Sequence, residues 1–344
     1  MDVELEFPTA PEQLTTAWLS EVLGYQVDDF RVEEFGAGAG IIGMVTRVHL
    51  TSEHGPDSII AKFPSPAEEN RAVAATYDMY QREINFYQDL AQHISLRVPD
   101  CYYARFNPEA NLFVLLMEDL KDLRIGDQVA GCSEQDARLV IEGIAKLHAS
   151  TWRTDRPIVS HNNPGQRDGM IGGFGVGWPV VSEKFADLIT PDIAERATRV
   201  PDLVPALLER MCSDPICVVH ADVRLDNVFF DDDEIVLVDW QSVCTSAPEQ
   251  DLAYFVTQSL SDEVRNAQDW VAVYHQALTG QGIDYDLEDC RKRYRVSALY
   301  LLCYAVVIAG TLDLANERGM QLGRTLFGNA MRSLVEIKAF DLVE

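Results

Sequence analysis

The stretch that decides the fold is residues 218–242, VVHADVRLDNVFFDDDEIVLVDWQS. An apolar approach leads into a polar loop, in which His220, Asp222 and Asn227 follow the spacing H-x-D-x4-N. A short strand, an acidic turn and a β-branched second strand come next, and Asp239 stands at the end of that strand. The hairpin therefore predicts two carboxylates and a carboxamide in one small volume. Such oxygen ligands suit Mg²⁺, which binds one or two carboxylates together with the phosphates of its substrate.

Alternating glycines lie nearer the N-terminus, between two stretches with the pattern of strands. Gly36, Gly38 and Gly40 separate strand-like residues 30–35 from strand-like residues 42–50. A glycine loop folded as a hairpin can lay its backbone N–H groups over phosphates, because no Cβ blocks the approach. Turns of small residues are common, so the glycines alone are a weak indication of a phosphate-binding loop. Their position before the next strand makes the indication stronger.

A lysine stands inside the third predicted strand. Residues 58–63, SIIAKF, are apolar on both sides of Lys62. A buried lysine is costly unless it is paired, so the pattern predicts an acidic partner. The long helix predicted over residues 66–92 offers Glu83. The alternative is a lysine at a strand edge that reaches into solvent, which the flanking apolar residues disfavour.

The motifs of the chain resemble those of one known family. The residues that carry the resemblance are His220-Ala221-Asp222, Asn227 and Asp239-Trp240. They are similar to the motifs of the aminoglycoside phosphotransferase and choline kinase-like superfamily, distant relatives of protein kinases, and the likeness runs over most of the chain. Trp-Gln follows Asp239 where protein kinases have Phe-Gly, and no Ala-Pro-Glu motif comes after it. These departures favour a small-molecule kinase over a protein kinase.

The resemblance implies an α+β, bilobal, protein kinase-like fold. Its N-terminal nucleotide-binding lobe, residues 1–117, would hold a five-stranded antiparallel sheet and a helix. Strands predicted at 101–106 and 111–117 would complete that sheet. A hinge at 118–121 would lead into a larger, mainly α-helical lobe, residues 122–344, which would carry the catalytic and acceptor-binding groups.

The resemblance also implies a role for the polar residues of the catalytic stretch. Asp222 would be the base that accepts the proton of an acceptor hydroxyl, and Arg224 could point at the transferring phosphoryl group. Asn227 and Asp239 would hold Mg²⁺. Ala221 stands where the family most often has glycine, so a left-handed backbone there would be strained.

ATP would be bound, by the same resemblance, through parts of the N-terminal lobe. The glycine loop would cover the phosphates, while Lys62, held in place by Glu83, would bind the α- and β-phosphates. Backbone groups near Glu118 and Leu120 would pair with the adenine edge. In the C-terminal lobe, Asp251 would open a helix and hydrogen-bond back to the catalytic loop; the alternative is an acidic residue that only complements the helix dipole.

The C-terminal part of the chain is predominantly helical by pattern. Ser133 begins a predicted helix with a capping box, and His148 on its apolar face is predicted to be a hydrogen-bonded core residue rather than a catalytic one. Residues 155–178 are rich in glycine, and no regular element is predicted there. We interpret them as a loop or lid on the acceptor side, with Phe174 and Trp178 as contacts; a disordered surface insertion is the alternative. Further helices are predicted at 9–24, 191–212, from 247 onwards, 264–279, 287–315 and 322–339.

Composition sets the remaining limits. The 344 residues carry a formal net charge of −27, from 28 basic and 55 acidic residues. Such a surface repels nucleic acid and anionic membranes. Residues 296–310 form the longest apolar run, which is short for a bilayer span and predicts a buried core helix, so no membrane insertion is expected. The seven cysteines form no C-x-x-C pair, which favours reduced thiols in the cytoplasm.

The combined motifs predict an ATP- and Mg²⁺-dependent kinase that phosphorylates a hydroxyl group of a small molecule. A catalytically silent, kinase-like nucleotide-binding module is the alternative, although every polar position that catalysis needs is present. The acceptor stays open among aminoglycosides, choline-like amines, macrolides, sugars and hydroxylated lipids, because acceptor sites diverge on a shared fold.

Overall fold

The structure is a computed structural model that describes residues 6–35 and 42–343. The chain folds as two compact units. The first contains the residues up to 92, residues 98–123 and residues 238–242; the second contains residues 93–97, 124–237 and 243 onwards. Gly36, Gly38 and Gly40 lie outside the described residues, so the phosphate-covering role predicted for them stays a prediction.

A five-stranded antiparallel sheet forms the frame of the first unit. Its strands are β1 (Asp29–Glu34), β2 (Gly43–Thr51), β3 (Ser58–Pro64), β4 (Cys101–Asn107) and β5 (Leu112–Glu118). They lie in the order β1-β2-β3-β5-β4. The central strand β3 is almost wholly buried, because it pairs with β2 on one side and β5 on the other. The sheet predicted from the sequence is confirmed.

Three α-helices of the described residues accompany this sheet in the first unit: α1 (Thr16–Leu23), α2 (Glu68–Thr76) and α3 (Met79–Asn85). α1 ends at the predicted Gly24, whose φ of 77° is the left-handed conformation that glycine adopts without strain. The predicted start at Thr9 is wrong. Thr15 is the cap instead, since its hydroxyl accepts a hydrogen bond from Trp18 N at 3.1 Å.

The single helix predicted over 66–92 is also wrong in detail. Asp78 separates α2 from α3 with a φ of 53°, a left-handed conformation that Asp tolerates better than most residues. After α3 the chain continues as a π-helical turn, Phe86–Leu90, and a 3₁₀ turn, Ala91–His93. The helical character is therefore predicted correctly, while the interruption is not visible in the apolar pattern.

Two small sheets lie in the second unit. Their strands are β6 (Arg124–Ile125), β7 (Cys217–Val219), β8 (Val228–Asp231), β9 (Glu234–Leu237) and β10 (Cys244–Ser246). β6, β8 and β9 form one sheet, and β7 and β10 form the other. The predicted hairpin is β8–β9, in which Asp231 pairs with Glu234 and Asp232 turns with a φ of 46°.

Nine helices of the described chain build the rest of the second unit: α4 (Glu134–Ser150), α5 (Pro164–Lys184), α6 (Pro191–Thr198), α7 (Val200–Met211), α8 (Glu249–Tyr254), α9 (Asp262–Ala267), α10 (Trp270–Gly280), α11 (Leu287–Thr311) and α12 (Glu317–Glu336). The predicted capping box at Ser133 is confirmed. The helix predicted over 264–279 is two helices, because Asp269 caps α10 by accepting from Ala272 N at 3.1 Å. The helical structure predicted over 191–212 is confirmed as α6 and α7.

Helix α11 runs through the core of the second unit. It has 25 residues, begins where the helix predicted over 287–315 begins and ends four residues earlier, and its length and composition would allow it to cross a membrane. However, 67% of its most apolar window is buried inside the protein, as in the core helix of a folded domain. The predicted core helix is thus confirmed, while the argument that the segment is too short to span a bilayer is wrong.

The irregular loop predicted over 155–178 is wrong, because most of that stretch is helix α5. Two of its glycines, Gly173 and Gly177, allow close packing against α11. A Cβ on Gly177 would lie 2.6 Å from Val306 O, and a Cβ on Gly310 would lie 2.4 Å from the Gly177 Cα. Phe174, predicted to contact an acceptor, is buried within the fold. Helix propensity disfavours so many glycines, and the neighbouring helix explains Gly173 and Gly177.

Gly177→Ala is expected to destabilise the protein by about 1–3 kcal/mol, because the new methyl group overlaps a backbone carbonyl that cannot move without its helix. Gly172→Ala, in the same helix, is the matched control, since a Cβ there has no atom within 4 Å among the described residues. It should gain up to about 1 kcal/mol from helix propensity. Urea unfolding of both variants measures the difference, and equal stabilities would contradict the close packing.

Candidate functional site

The first unit holds a buried lysine that is paired on two sides. Lys62 lies in β3, opposite Leu115 of β5. Its Nζ donates to Glu83 Oε1 at 2.6 Å and Oε2 at 2.8 Å, and to Asp239 Oδ1 at 3.0 Å. The side chain of Glu83 is 2% exposed and that of Lys62 is 10% exposed. The predicted pair of Lys62 and Glu83 is confirmed, and the contact with Asp239 is an addition that sequence reasoning missed.

The charge on Lys62 is fixed by this arrangement. Burial alone would lower the pKa of Lys62, but the negative charges of Asp239 and Glu83 outweigh it, and the pKa is raised above its ordinary value. The ammonium is therefore present at every pH at which the protein would work. A fixed cation of this kind can bind phosphate oxygens without taking up or losing a proton.

Asp239 is held by the residues that follow it. Its φ of 69° is left-handed, a strain of about 1–2 kcal/mol for a residue with a side chain. Oδ2 accepts a hydrogen bond from Gln241 Nε2 at 3.1 Å. The next residue, Trp240, is fully buried and stacks on Phe86, with ring centroids 3.8 Å apart. Phe86 lies three residues after Glu83, so the two side chains lie on the same side of the helical segment. Glu83 holds Lys62, and Phe86 holds the Asp239 backbone through its contact with Trp240.

Lys62→Met tests this pair. The variant leaves Glu83 as a buried charge without its main partner, which should cost about 3–5 kcal/mol of stability. If Lys62 binds nucleotide phosphates, as the resemblance implies, the variant should also raise the KM for ATP about tenfold or more, equivalent to the loss of one charged contact. Thermal unfolding and initial-rate kinetics measure the two effects.

The double variant Lys62→Met/Glu83→Gln is the matched control. It removes the unpaired charge and should regain most of the stability without regaining the affinity for ATP. An unchanged KM for ATP in Lys62→Met would refute the assignment of Lys62, whatever its stability.

The residues after β5, predicted as the hinge, are tightly held within the first unit. Glu118 N donates to Asp100 O at 2.8 Å, so a nucleotide contact made by the Glu118 backbone would use its carbonyl. Asp119 accepts from Arg47 Nε at 2.7 Å and from Ser58 Oγ at 2.6 Å. Leu120 is buried. The adenine-pairing role of Glu118 and Leu120 stays a prediction.

The second unit holds residues 220–227, the loop predicted to be catalytic and called the catalytic loop below, which begins where β7 ends. Asp251, fully buried at the start of α8, accepts hydrogen bonds from His220 N and Ala221 N, both at 2.8 Å. The predicted hydrogen bonding from Asp251 back to the loop is confirmed. Ala221 has a φ of 65°, so the strain foreseen at this position is real, and the two bonds to Asp251 offset it.

Asp251 is itself anchored in the core. His148 Nε2 lies 3.1 Å from Asp251 Oδ2, and His148 Nδ1 lies 2.8 Å from the hydroxyl of Tyr274. All three side chains are buried. The prediction that His148 is a hydrogen-bonded core residue is confirmed.

Asp222 and Asn227 are brought together inside the loop. Asn227 Nδ2 donates to the Asp222 carbonyl at 3.0 Å and to Asp222 Oδ2 at 3.1 Å. Arg224 Nε lies 3.9 Å from Asp222 Oδ1.

Tyr254, three residues after Asp251, is a neighbour of Asp222 that no sequence motif indicates. Burial raises its pKa well above the ordinary value, and the charge of the nearby Asp222 raises it further.

The donor atoms fit the metal implied by the resemblance. The Asn227 amide nitrogen faces Asp222, so its oxygen faces away and can serve as a ligand. Asp239 offers a carboxylate on the first unit. In residues 6–35 and 42–343 no three His, Cys, Asp or Glu side chains gather into a metal site. Amide and carboxylate oxygens are donors that suit Mg²⁺, and the roles of Asn227 and Asp239 as its ligands stay predictions.

A paired lysine on the central strand, a strained aspartate after a hairpin and an aspartate–asparagine loop define the class of kinase-like phosphotransferases. The family follows from the sequence itself. The model of the phosphotransferase enzyme family matches residues 45–288, and the chain belongs to that family. No curated protein sequence matches the chain.

Solved structures share the fold at low sequence identity. A Ralstonia eutropha protein, provisionally named an aminoglycoside phosphotransferase, superposes with a TM-score of 0.54 at 15% identity, covering 94% of this chain and 97% of its own. The gentamicin complex of APH(2″)-IIa gives 0.53 at 14%, covering 94% and 96%. The GDP and kanamycin complex of APH(2″)-IIIa gives 0.52 at 13%, covering 94% and 98%. The predicted kinase-like α+β fold and the predicted family are thus confirmed.

Proposed function

We propose that the protein is an ATP- and Mg²⁺-dependent kinase that transfers a phosphoryl group to a hydroxyl of a small molecule. The observation that carries the proposal is the Lys62 ammonium, buried in the first unit and held by Glu83 and Asp239. A folded protein gains little from burying such a group compared with apolar residues of the same size. A negatively charged ligand that binds the Lys62 ammonium would account for its burial.

The proposed chemistry assigns one task to each group. Asp222 accepts the proton of the acceptor hydroxyl. At the same time the hydroxyl oxygen bonds to the γ-phosphorus, and the bond from that phosphorus to the leaving ADP oxygen breaks. Arg224, near Asp222, stabilises the charge of the transferring group. Lys62 holds the α- and β-phosphates. Mg²⁺, when bound by Asn227 and Asp239, would neutralise the charge that develops on the phosphates.

The acceptor is proposed only as a class, a small hydroxylated molecule. Gentamicin and kanamycin are named with two of the structural neighbours, and these share only the fold with this chain at 13–14% identity. We propose a cytoplasmic location, which the seven cysteine thiols support, since reduced cysteines are the rule there.

The experiment that tests the proposal measures phosphate release from ATP and from GTP by the wild-type protein, with and without Mg²⁺. A thermal-shift screen with a non-hydrolysable ATP analogue and Mg²⁺ then compares aminoglycosides, amino alcohols, macrolides and sugars as acceptors. Slow Mg²⁺-dependent hydrolysis that an acceptor diverts into a phosphorylated product supports the kinase. Nucleotide binding with neither hydrolysis nor transfer to any acceptor would favour the silent module.

A further inference from the structure

A buried glutamine outside every predicted motif contacts the catalytic loop. Gln128 lies between β6 and α4 and is 0% exposed. Its Oε1 accepts hydrogen bonds from Leu225 N at 2.8 Å and from Ser259 Oγ at 3.0 Å, and its Nε2 donates to Gln258 O at 2.9 Å. An amide buried without partners would be costly, so these bonds specify one position for the side chain.

The chain around Gln128 lies flush against the same loop. Gln128 N donates to Asp226 Oδ1 at 2.9 Å, and Gly126 N donates to Val228 O at 2.9 Å. A Cβ on Gly126 would come within 2.4 Å of Leu225 O, so only glycine permits this approach. Backbone and side chain together hold residues 225 and 226, which connect Arg224 to Asn227.

The contact with Leu225 meets a need of the loop itself. Residues Leu225–Asn227 form a single 3₁₀ turn. The first N–H groups of a helical turn have no partner within it, and Gln128 Oε1 supplies one for Leu225. The same turn sets the direction of the Asn227 side chain, whose amide binds Asp222.

The other end of Gln128 is bound to the segment that anchors the start of the loop. Gln258 and Ser259 lie in a π-helical turn, Phe255–Ser259, that continues directly from α8. α8 carries Asp251, which binds the backbone of residues 220 and 221. One continuous helical segment thus holds the loop at its beginning through Asp251 and near its end through Gln128.

We propose that Gln128 is a positioning residue, which sets the orientation of Asn227 relative to Asp222 for phosphoryl transfer. The proposal rests on the proposed function for its consequence in catalysis. Its structural part, that Gln128 holds the 225–227 turn, can be tested without any turnover.

The test compares Gln128→Met, which keeps the volume but loses the hydrogen bonds, with Gln128→Glu, which keeps an oxygen opposite Leu225 N. Asn329→Leu is the matched control: Asn329 Nδ2 donates to Gln258 O at 3.1 Å, so the variant breaks a buried bond of the same network away from the loop. We expect kcat for Mg·ATP hydrolysis to fall about tenfold or more in Gln128→Met, with a raised Mg²⁺ requirement. Gln128→Glu should lose less, and Asn329→Leu should match the wild type.

Hydrogen exchange of the peptide that covers the 218–230 region gives the second readout. In Gln128→Met, exchange should be faster in this peptide, whereas in Asn329→Leu it should rise only around residues 255–259. Loop exchange as slow as in the wild type would overturn the inference even if the wild-type protein proves inactive. Faster loop exchange with unchanged kcat and Mg²⁺ dependence would overturn the positioning role alone and leave the proposed function standing. If Gln128→Met does not fold, Gln128→Asn carries the same comparison, because it keeps a neutral amide but is one methylene too short to hold the bond to Leu225 N.

Discussion

Asp222→Asn is expected to lower ATP-dependent phosphoryl transfer about 10²–10⁴-fold, the usual contribution of a positioned general base. The carboxamide cannot accept the proton of an acceptor hydroxyl. It still offers an oxygen to Asn227 Nδ2, which lies 3.1 Å from Asp222 Oδ2, so the loop should keep its geometry. The measurement is the rate of phosphate release and of acceptor phosphorylation at saturating Mg·ATP.

The Asp222→Asn variant should lose transfer activity but keep its ability to bind nucleotide. Removing a negative charge near the phosphates should leave the affinity for Mg·ATP unchanged or slightly higher. Asp233→Asn, in the exposed turn of the β8–β9 hairpin, is the matched control for a lost aspartate charge and should behave as the wild type. Full transfer activity in Asp222→Asn would remove Asp222 from the reaction and with it the proposed mechanism.

The sequence predicted those parts of the site that are encoded locally. The hairpin, the Asp222 to Asn227 spacing and the apolar strand around Lys62 each occupy a few consecutive residues, whose pattern fixes their structure. The strain at Ala221 was foreseen by comparison with a glycine. These features can be predicted because each depends on neighbouring residues in the sequence and not on a distant contact.

What the sequence did not predict depends on distant partners. The glycines of α5 disfavour a helix by propensity, and the packing of Gly177 against α11 involves Gly310, far along the chain. The bond from Gln128 Nε2 to Gln258 O spans 130 positions. Asp239 binds Lys62 across 177 positions, although each residue was singled out by its own motif. No single-sequence pattern reports such pairs.

Asp239→Asn is expected to reduce Mg·ATP-dependent activity about 10²–10³-fold at low Mg²⁺, comparable to the loss of one electrostatic group in an active site. Asn keeps an oxygen but loses the charge that attracts the cation. Asn also tolerates the left-handed φ of 69° at this position, so the backbone should keep its course. Lys62 retains Glu83 at 2.6 Å, which limits the cost in stability.

The decisive measurement is a titration of Mg²⁺ against activity in Asp239→Asn and in Asn227→Asp. Asp239→Asn should need at least about tenfold more Mg²⁺ for half-maximal activity, since a carboxylate ligand should contribute at least about 1.4 kcal/mol to the binding of the ion. Asn227→Asp adds a charged ligand and should need no more Mg²⁺ than the wild type. Its kcat should nevertheless fall, because a carboxylate would replace the Nδ2 donor that lies 3.1 Å from Asp222 Oδ2, and two like charges would face each other. If Asp239→Asn instead shows the Mg²⁺ dependence of the wild type, Asp239 is not a metal ligand, and its carboxylate serves only to hold Lys62.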